Sequence, residues 1–265
     1  MEDAGTIYFT GTAGAGKTSL VQSFQDWLDK QGHDVVTVNL DPGSEAGSFE
    51  PDVDIRDWIR LPQVMQEYGL GPNGVQVAAA DMIALKIFEV KQSLDGYKAQ
   101  YVLIDTPGQF ELFAFRESSK AIVDALSGDR SLIAFLFDPA LARKASGFVS
   151  LRMLSATVEF RFRLPMLNLL SKSDVLTPEQ LEEVLAWGED PQSLSDGVGQ
   201  ELPTPDVQLS TELLRAMETM APQTALVPTS ASEQKGMDIL YEAVERAFTG
   251  GADEEADEPR EAEEE

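Results

Sequence analysis

Near the start of the chain, Gly11-Thr12-Ala13-Gly14-Ala15-Gly16-Lys17-Thr18 matches the pattern G-x-x-x-x-G-K-[ST] in full. Glycines at these places let a loop curl until its backbone N–H groups converge on a phosphate, and a following helix adds the positive end of its dipole. Lys17 is then the point charge for the β and γ phosphates and Thr18 a ligand for Mg²⁺; Ser19, next in line, is given no role. Asp105 ends the apolar run Val102-Leu103-Ile104, where an acid suits a second Mg²⁺ contact. In Thr106-Pro107-Gly108 the N–H of Gly108 is placed to sense a γ phosphate, and Gln109 and Glu111 stand where they could orient a water. This chemistry is nucleoside triphosphate binding with metal-assisted hydrolysis.

A second group selects the base. Ser171-Lys172-Ser173-Asp174 resembles the Asn-Lys-x-Asp element by which GTPases read guanine, with Ser171 in place of the usual Asn. Asp174 could accept from the ring N–H and exocyclic amine of guanine, which adenine cannot reproduce, while the apolar stem of Lys172 covers the base plane. Thr229-Ser230-Ala231 fits the companion turn whose backbone N–H meets the guanine O6.

These residues need elements to hold them. Apolar, β-rich runs recur at Thr6–Thr10, Val35–Val38, Tyr101–Ile104, Leu132–Phe137, Met166–Leu170 and Ala225–Val227. Near-continuous apolar strands suit a parallel sheet covered on both faces. Helical stripes lie between them: Leu20, Val21, Phe24, Trp27 and Leu28, closed by Gly32; then Ile83, Ile87, Val90 and Leu94; and last Met237, Leu240, Val244 and Phe248. The alternation predicts an α/β fold of the P-loop NTPase type, with a doubly wound, all-parallel central sheet and helical insertions. Residues 1–250 read as one GTPase domain. Its insertions span residues 43–100, which carry Gly71-Pro72-Asn73, and residues 173–223. Thr177-Pro178-Glu179-Gln180 is a capping box that starts a helix, whereas residues 187–208, rich in Gly, Pro, Ser and Asp, read as an exposed loop. Residues 251–265 read as an acidic, disordered tail.

Composition excludes other chemistries. The chain has 265 residues and no Cys, so disulfides, thiol nucleophiles and thiolate metal sites have no material. A single His, His33, leaves no imidazole-rich metal site and is expected to be exposed beside Gly32. No apolar run reaches the roughly 18 residues of a membrane helix, and the acidic start Met1-Glu2-Asp3 does not read as a signal peptide, so a cytoplasmic location is expected. The formal net charge is −26, and the segment from Ala252 to Glu265 holds nine acids against one Arg. Most of the excess therefore lies in the body, where it repels nucleic acid and anionic membranes as partners and reads as adaptation to a salt-rich, halophilic cytoplasm. Arg56 and Arg116 are expected in ion pairs, Trp27 and Trp58 in packing, and Glu45 as a switch residue or a solvated acid.

Three further segments carry a family resemblance: Asn39-Leu40-Asp41-Pro42-Gly43 followed by Pro51–Asp57, then Gly71-Pro72-Asn73, and Asp105–Glu111. In this order the chain resembles the GPN-loop GTPases, particularly archaeal members, over roughly residues 5–248. The resemblance implies a GTP/GDP-binding, Mg²⁺-using homodimer paired through the Gly-Pro-Asn face. Asp41 and Gln109 then hold or polarise the attacking water, Glu111 gives polar support, and Asn73 reaches into the facing subunit. The cofactor-binding set is Gly11 to Thr18, Gly108, Lys172, Asp174, Ser230 and Ala231, with Thr18 and Asp105 on the metal. It also implies a protein client, in the transcription machinery by analogy with eukaryotic members, and a role as a switch or assembly factor. Two alternatives stand beside it: a nucleotide-gated binding module with incidental hydrolysis, and an ATP-using member of the same fold, which Ser171 keeps open.

Overall fold

A computed structural model describes residues 4–44, 50–218 and 225–249. The expected acidic tail and Glu45 lie outside them. In chain order the elements are β1 (Gly5–Gly11), α1 (Lys17–Gln31), β2 (Val35–Asn39), β3 (Val53–Asp54), α2 (Leu61–Tyr68), α3 (Pro72–Leu94), β4 (Tyr101–Asp105), α4 (Phe110–Ala114), α5 (Glu117–Leu126) and β5 (Ser131–Phe137). There follow α6 (Pro139–Ala142), α7 (Ala145–Phe162), β6 (Met166–Leu170), α8 (Pro178–Glu189), α9 (Pro191–Gln200), α10 (Pro205–Glu218), β7 (Leu226–Pro228) and α11 (Met237–Phe248). The sheet has seven strands in the order β3-β2-β4-β1-β5-β6-β7, and every pairing is parallel. The edge strand β3 is the one missed in the sequence; two residues are too few to show an alternation.

Successive strand residues face opposite sides, and both sides are dry. Tyr8, Val102, Ile104, Ile133, Phe135 and Phe137 pack beneath α3, α5 and α7. Ile7, Phe9, Leu103, Leu132 and Leu136 pack beneath α1 and α11, against Phe24, Leu28, Leu240 and Val244. Full burial of a side chain such as Phe135 contributes about 1.5–3 kcal/mol. The predicted stripes form these faces, and Gly32 closes α1 in the left-handed region at φ 86°. Among the described residues no helix is long and apolar enough to cross a membrane.

Two expectations need correction. Residues 187–208 do not form a loop: α8 runs on to Glu189, α9 follows, and α10 begins at Pro205. Asp190 caps α9 through the N–H groups of Gln192 and Ser193, Pro191 takes the first turn, and Leu194 and Val198 are buried. Gly197, one of the glycines that suggest a loop, serves packing instead, since a Cβ on it would lie 2.9 Å from Trp187 Nε1. His33, in turn, is half-buried, wedged against the rings of Tyr101 and Tyr241 with Nδ1 3.1 Å from Gln100 Oε1.

Helix propensity and packing oppose each other at Gly147, in the first turn of α7. A Cβ there would lie 2.2 Å from the backbone carbonyl oxygen of Leu141. Alanine is the better helix former by about 1 kcal/mol, but a fixed carbonyl cannot yield. Gly147→Ala is therefore expected to lower stability by about 1–3 kcal/mol, read from the chemical-denaturation midpoint. Gly199→Ala, where a Cβ meets open space, should show no loss.

Candidate functional site

In a parallel sheet all strands end at one edge, so the loops after β1, β2, β4, β6 and β7 gather there, around the point where the strand order reverses. The loop after β1 is shaped by its glycines. Gly11, Gly14 and Gly16 have φ of 152°, 76° and 92°. At Gly11 any Cβ would also lie 2.8 Å from the Leu136 carbonyl oxygen. Lys17 opens α1 and is buried, its Nζ donating to the carbonyl oxygens of Gly11 at 3.0 Å, Thr12 at 3.1 Å and Gly108 at 3.4 Å. Burial pushes its ammonium below the ordinary lysine range, opposed by the nearby carboxylates of Asp105 and Asp41.

Asp105, at the tip of β4, is 1% exposed. Burial pushes its carboxyl up to about 7, against the Thr18 hydroxyl and the charge of Lys17. Thr18 Oγ1 donates to Asp105 Oδ2 at 2.6 Å, while Asp105 Oδ1 is buried with no hydrogen-bond partner. A hydroxyl and a carboxylate in contact, the carboxylate's other oxygen buried without a partner, are hard oxygen donors that fit Mg²⁺.

Asp41 stands where the loops after β2 and β4 meet. Its Oδ1 accepts from Gly43 N–H at 2.7 Å and its Oδ2 from Gly108 N–H at 2.8 Å. The Gly108 donor foreseen for phosphate is thus directed at this carboxylate. Asn39, fully buried at the end of β2, positions Asp41: its Oδ1 accepts from Asp41 N–H at 2.9 Å, and its Nδ2 donates to Asp54 Oδ1 at 3.0 Å. Arg56 closes the network on Asp54 with Nε 2.9 Å from Oδ2. In the sequence Asn39 figures only within the Asn39–Gly43 segment of the family resemblance, with no role of its own; its polarity at the end of an apolar strand is the signal for one.

Beside this lies a cavity of about 220 Å³, lined by Ala13 of the phosphate loop, Asp41, Gly108, Gln109, and Gln76, Ala80 and Ile83 of α3, among others. Gln109 is the cap residue of α4 and lines the cavity. Glu111 is exposed and outside the lining. Phe110 is buried against Phe115 and Phe135. Pro72 and Asn73 are the first two residues of the 23-residue helix α3, so the Gly-Pro-Asn segment opens a long helix, with Asn73 exposed and outside the cavity. Gln76, one turn further on, has no motif to announce it. Arg116 pairs with Asp81 of α3, Nε to Oδ1 at 2.7 Å.

The turns after β6 and β7 are joined: Ser173 N–H donates to the Thr229 carbonyl at 3.0 Å, and Ser230 Oγ donates to Asp174 Oδ1 at 2.6 Å. That hydroxyl holds the exposed Asp174 carboxyl below its ordinary value, so Asp174 is an anion at neutral pH. Lys172, in the left-handed region at φ 49°, donates through Nζ to the Gly14 carbonyl and to Asp138 Oδ2. It therefore ties the base-side turn to the phosphate loop, and its Cε lies 3.4 Å from where a Cβ on Gly16 would sit. Ser171 is turned inward: its Oγ donates to the Phe137 carbonyl at 3.1 Å and braces β5. Ala231 is half-buried in the same turn.

The chain was compared with known proteins. The family described as conserved hypothetical ATP binding protein matches residues 9–250. GPN-loop GTPase PAB0955 of Pyrococcus abyssi is 29% identical over 88% of this chain and 93% of its own length. GPN-loop GTPase 3 of Kluyveromyces lactis is 30% identical over 74% of each. The chain spans only 60% of the length of GPN-loop GTPase 1 of Dictyostelium discoideum, at 27% identity. The crystal structure of PAB0955, a GTPase in apo form, superposes with a TM-score of 0.82 at 27% identity, covering 94% of this chain and 99% of that one.

Proposed function

The chain belongs to the GPN-loop GTPase family, and from that premise we propose that it is a Mg²⁺-dependent switch acting as a homodimer. As a member it binds and hydrolyses GTP. One juxtaposition supports the mechanism: Lys17, next to the Thr18–Asp105 pair, donates to the carbonyl of Gly108, which lines the cavity together with Asp41 and Gln109. Thr18 and Asp105 would hold the Mg²⁺, which when bound neutralises charge on the phosphates. Lys17 neutralises the same phosphates from the loop. Asp41 accepts hydrogen bonds and so holds and polarises the attacking water, and Gln109 orients it. Because Asp41 tethers Gly43 on one loop and Gly108 on the other, any change at this carboxylate moves both loops together. That coupling supports a switch whose output is partner binding, the assembly-factor role expected from the resemblance.

The dimer reading rests on α3. Asn73, Val77, Asp81, Leu85 and Phe88 follow one another at helical spacing along its outer side, with Leu85 78% and Phe88 73% exposed. An apolar stripe of this kind marks an interaction surface, and it is continuous with Asn73, which its own cavity does not take. A second copy bound along the stripe in two-fold fashion would receive Asn73 at its own phosphates. No Arg lies between Arg60 and Arg116, so the segment must act through backbone groups and the Asn73 amide, fixing water rather than cancelling charge. Asn73→Ala should lower the turnover rate by about a hundredfold, the scale of a lost donor to the transition state, with GTP binding retained. Mixed with Lys17→Ala, it should regain activity, since hybrid dimers hold one complete site. Wild-type turnover by Asn73→Ala, or no regain on mixing, would count against the arrangement.

A further inference from the structure

Gln76 lies on the face of α3 that carries Ala80 and Ile83, and all three line the cavity beside the phosphate loop. Of the residues around that cavity only Asp41, Gln76 and Gln109 have polar side chains. The others present Pro42, Leu61, Ala80, Ile83, Pro107 and Leu112, or the backbone of glycines and Ala13. Asp41 is already held, one carboxylate oxygen on each of two backbone N–H groups. Neither glutamine side chain makes a hydrogen bond among the described residues.

Gln76 is half-buried, so solvent satisfies its amide in the free chain, and a ligand that displaces this water must offer the amide new partners or the binding costs free energy. On the hydrolase reading, a cavity bounded by the phosphate loop, Gly108 and Asp41 would receive the γ phosphate with its attacking water. A glutamine amide suits that pair, because its carbonyl accepts from the water while its NH₂ donates to a phosphoryl oxygen. The surrounding apolar groups lower the local dielectric and strengthen both bonds.

We propose that Gln76 is a second water-positioning amide for GTP hydrolysis, supplied by α3 of the same chain and acting together with Gln109. The assignment rests on the hydrolase reading of this site and deepens it. Helix α3 then serves two sites: its second turn faces the cavity of its own chain, and its first turn, with Asn73, faces a neighbour.

The test is Gln76→Met, which keeps the length and packing of the side chain and removes its hydrogen bonds. Steady-state turnover with Mg²⁺ and GTP should fall about a hundredfold or more, the scale of a lost donor to the transition state. The KM for GTP, the affinity for a fluorescent GTP analogue and the thermal midpoint should stay at wild-type values. Gln76→Leu, as a second apolar variant, should behave alike. Mixing Gln76→Met with Lys17→Ala should give no regain, in contrast to Asn73→Ala. Wild-type kcat in both apolar variants would overturn the proposal, as would a loss of affinity that accounts for the whole effect. A regain on mixing would overturn the assignment to the same chain. Absence of turnover in the wild-type protein would overturn this proposal and the hydrolase reading together, whereas wild-type turnover with unaffected variants overturns this proposal alone.

Discussion

Lys17→Ala is expected to weaken GTP binding by about a hundredfold or more and to abolish turnover, because two charge-assisted contacts of about 1.5–3 kcal/mol each are lost at once. The fold should survive. In the native chain the ammonium is buried and pushed below its ordinary range, so its charged form is already costly, and alanine removes that cost. The three carbonyl oxygens it serves, on Gly11, Thr12 and Gly108, border the cavity region, where water replaces the lost donor. Asp105 feels the change most, since Lys17 is one of the two influences that hold its carboxyl down against burial. Mg²⁺ affinity should fall with GTP affinity. Titration with a fluorescent GTP analogue, with near-ultraviolet circular dichroism as the control for folding, provides the measurement. A folded variant with wild-type affinity would remove Lys17 from the phosphate site.

Asp174→Asn should invert the base preference. The aspartate presents two acceptor oxygens, and the Ser230 hydroxyl keeps it ionised. Asparagine presents one acceptor and one donor. It can still accept from Ser230, so the turn between β6 and β7 should keep its shape. What disappears is the paired acceptance from the ring N–H and amine of guanine, worth about 1–3 kcal/mol by analogy with bidentate base readout. GTP affinity should drop by that amount, and XTP, which carries a carbonyl in place of the amine, should gain. ATP belongs in the same competition series. If it displaced the guanine nucleotide from wild-type protein as well as GTP does, the ATP-using alternative would stand, in keeping with the ATP binding description of the matching family. An unchanged ratio of GTP to XTP affinity would remove Asp174 as the reader.

Much of the site was legible in the sequence because its parts are local. A phosphate loop needs particular residues at fixed offsets, and Gly11, Gly16 and Lys17 meet that need within a few bonds of one another. The same holds for Asp105 at a strand tip and for the capping box of Thr177 and Gln180, whose two reciprocal bonds are present. Ion pairing of Arg56 with Asp54 and of Arg116 with Asp81 also matched expectation. The error over residues 187–208 had a physical source. On propensity Gly197 reads as a loop residue, whereas the Trp187 ring that packs over it requires a glycine there.

By itself the sequence determined the strand and helix alternation, hence a parallel sheet, and with it the edge at which every functional loop must gather. It also singled out the candidate residues for phosphate and base chemistry, since those motifs are contiguous. Only the tertiary structure decided the pairings between distant segments. It placed Asp41 against the Gly108 N–H, 67 residues away, and Ser230 against Asp174, 56 residues away. It turned Ser171 inward, and it brought Gln76 to the cavity while leaving Asn73 outside. A helix repeats every 3.6 residues, so residues three apart can share a side, but no periodicity says which side meets a cavity. That depends on how α3 is rotated by the packing of Val75, Ala79, Ile83 and Val90 into the core beneath it, an outcome of side chains from many strands and helices fitting together at once.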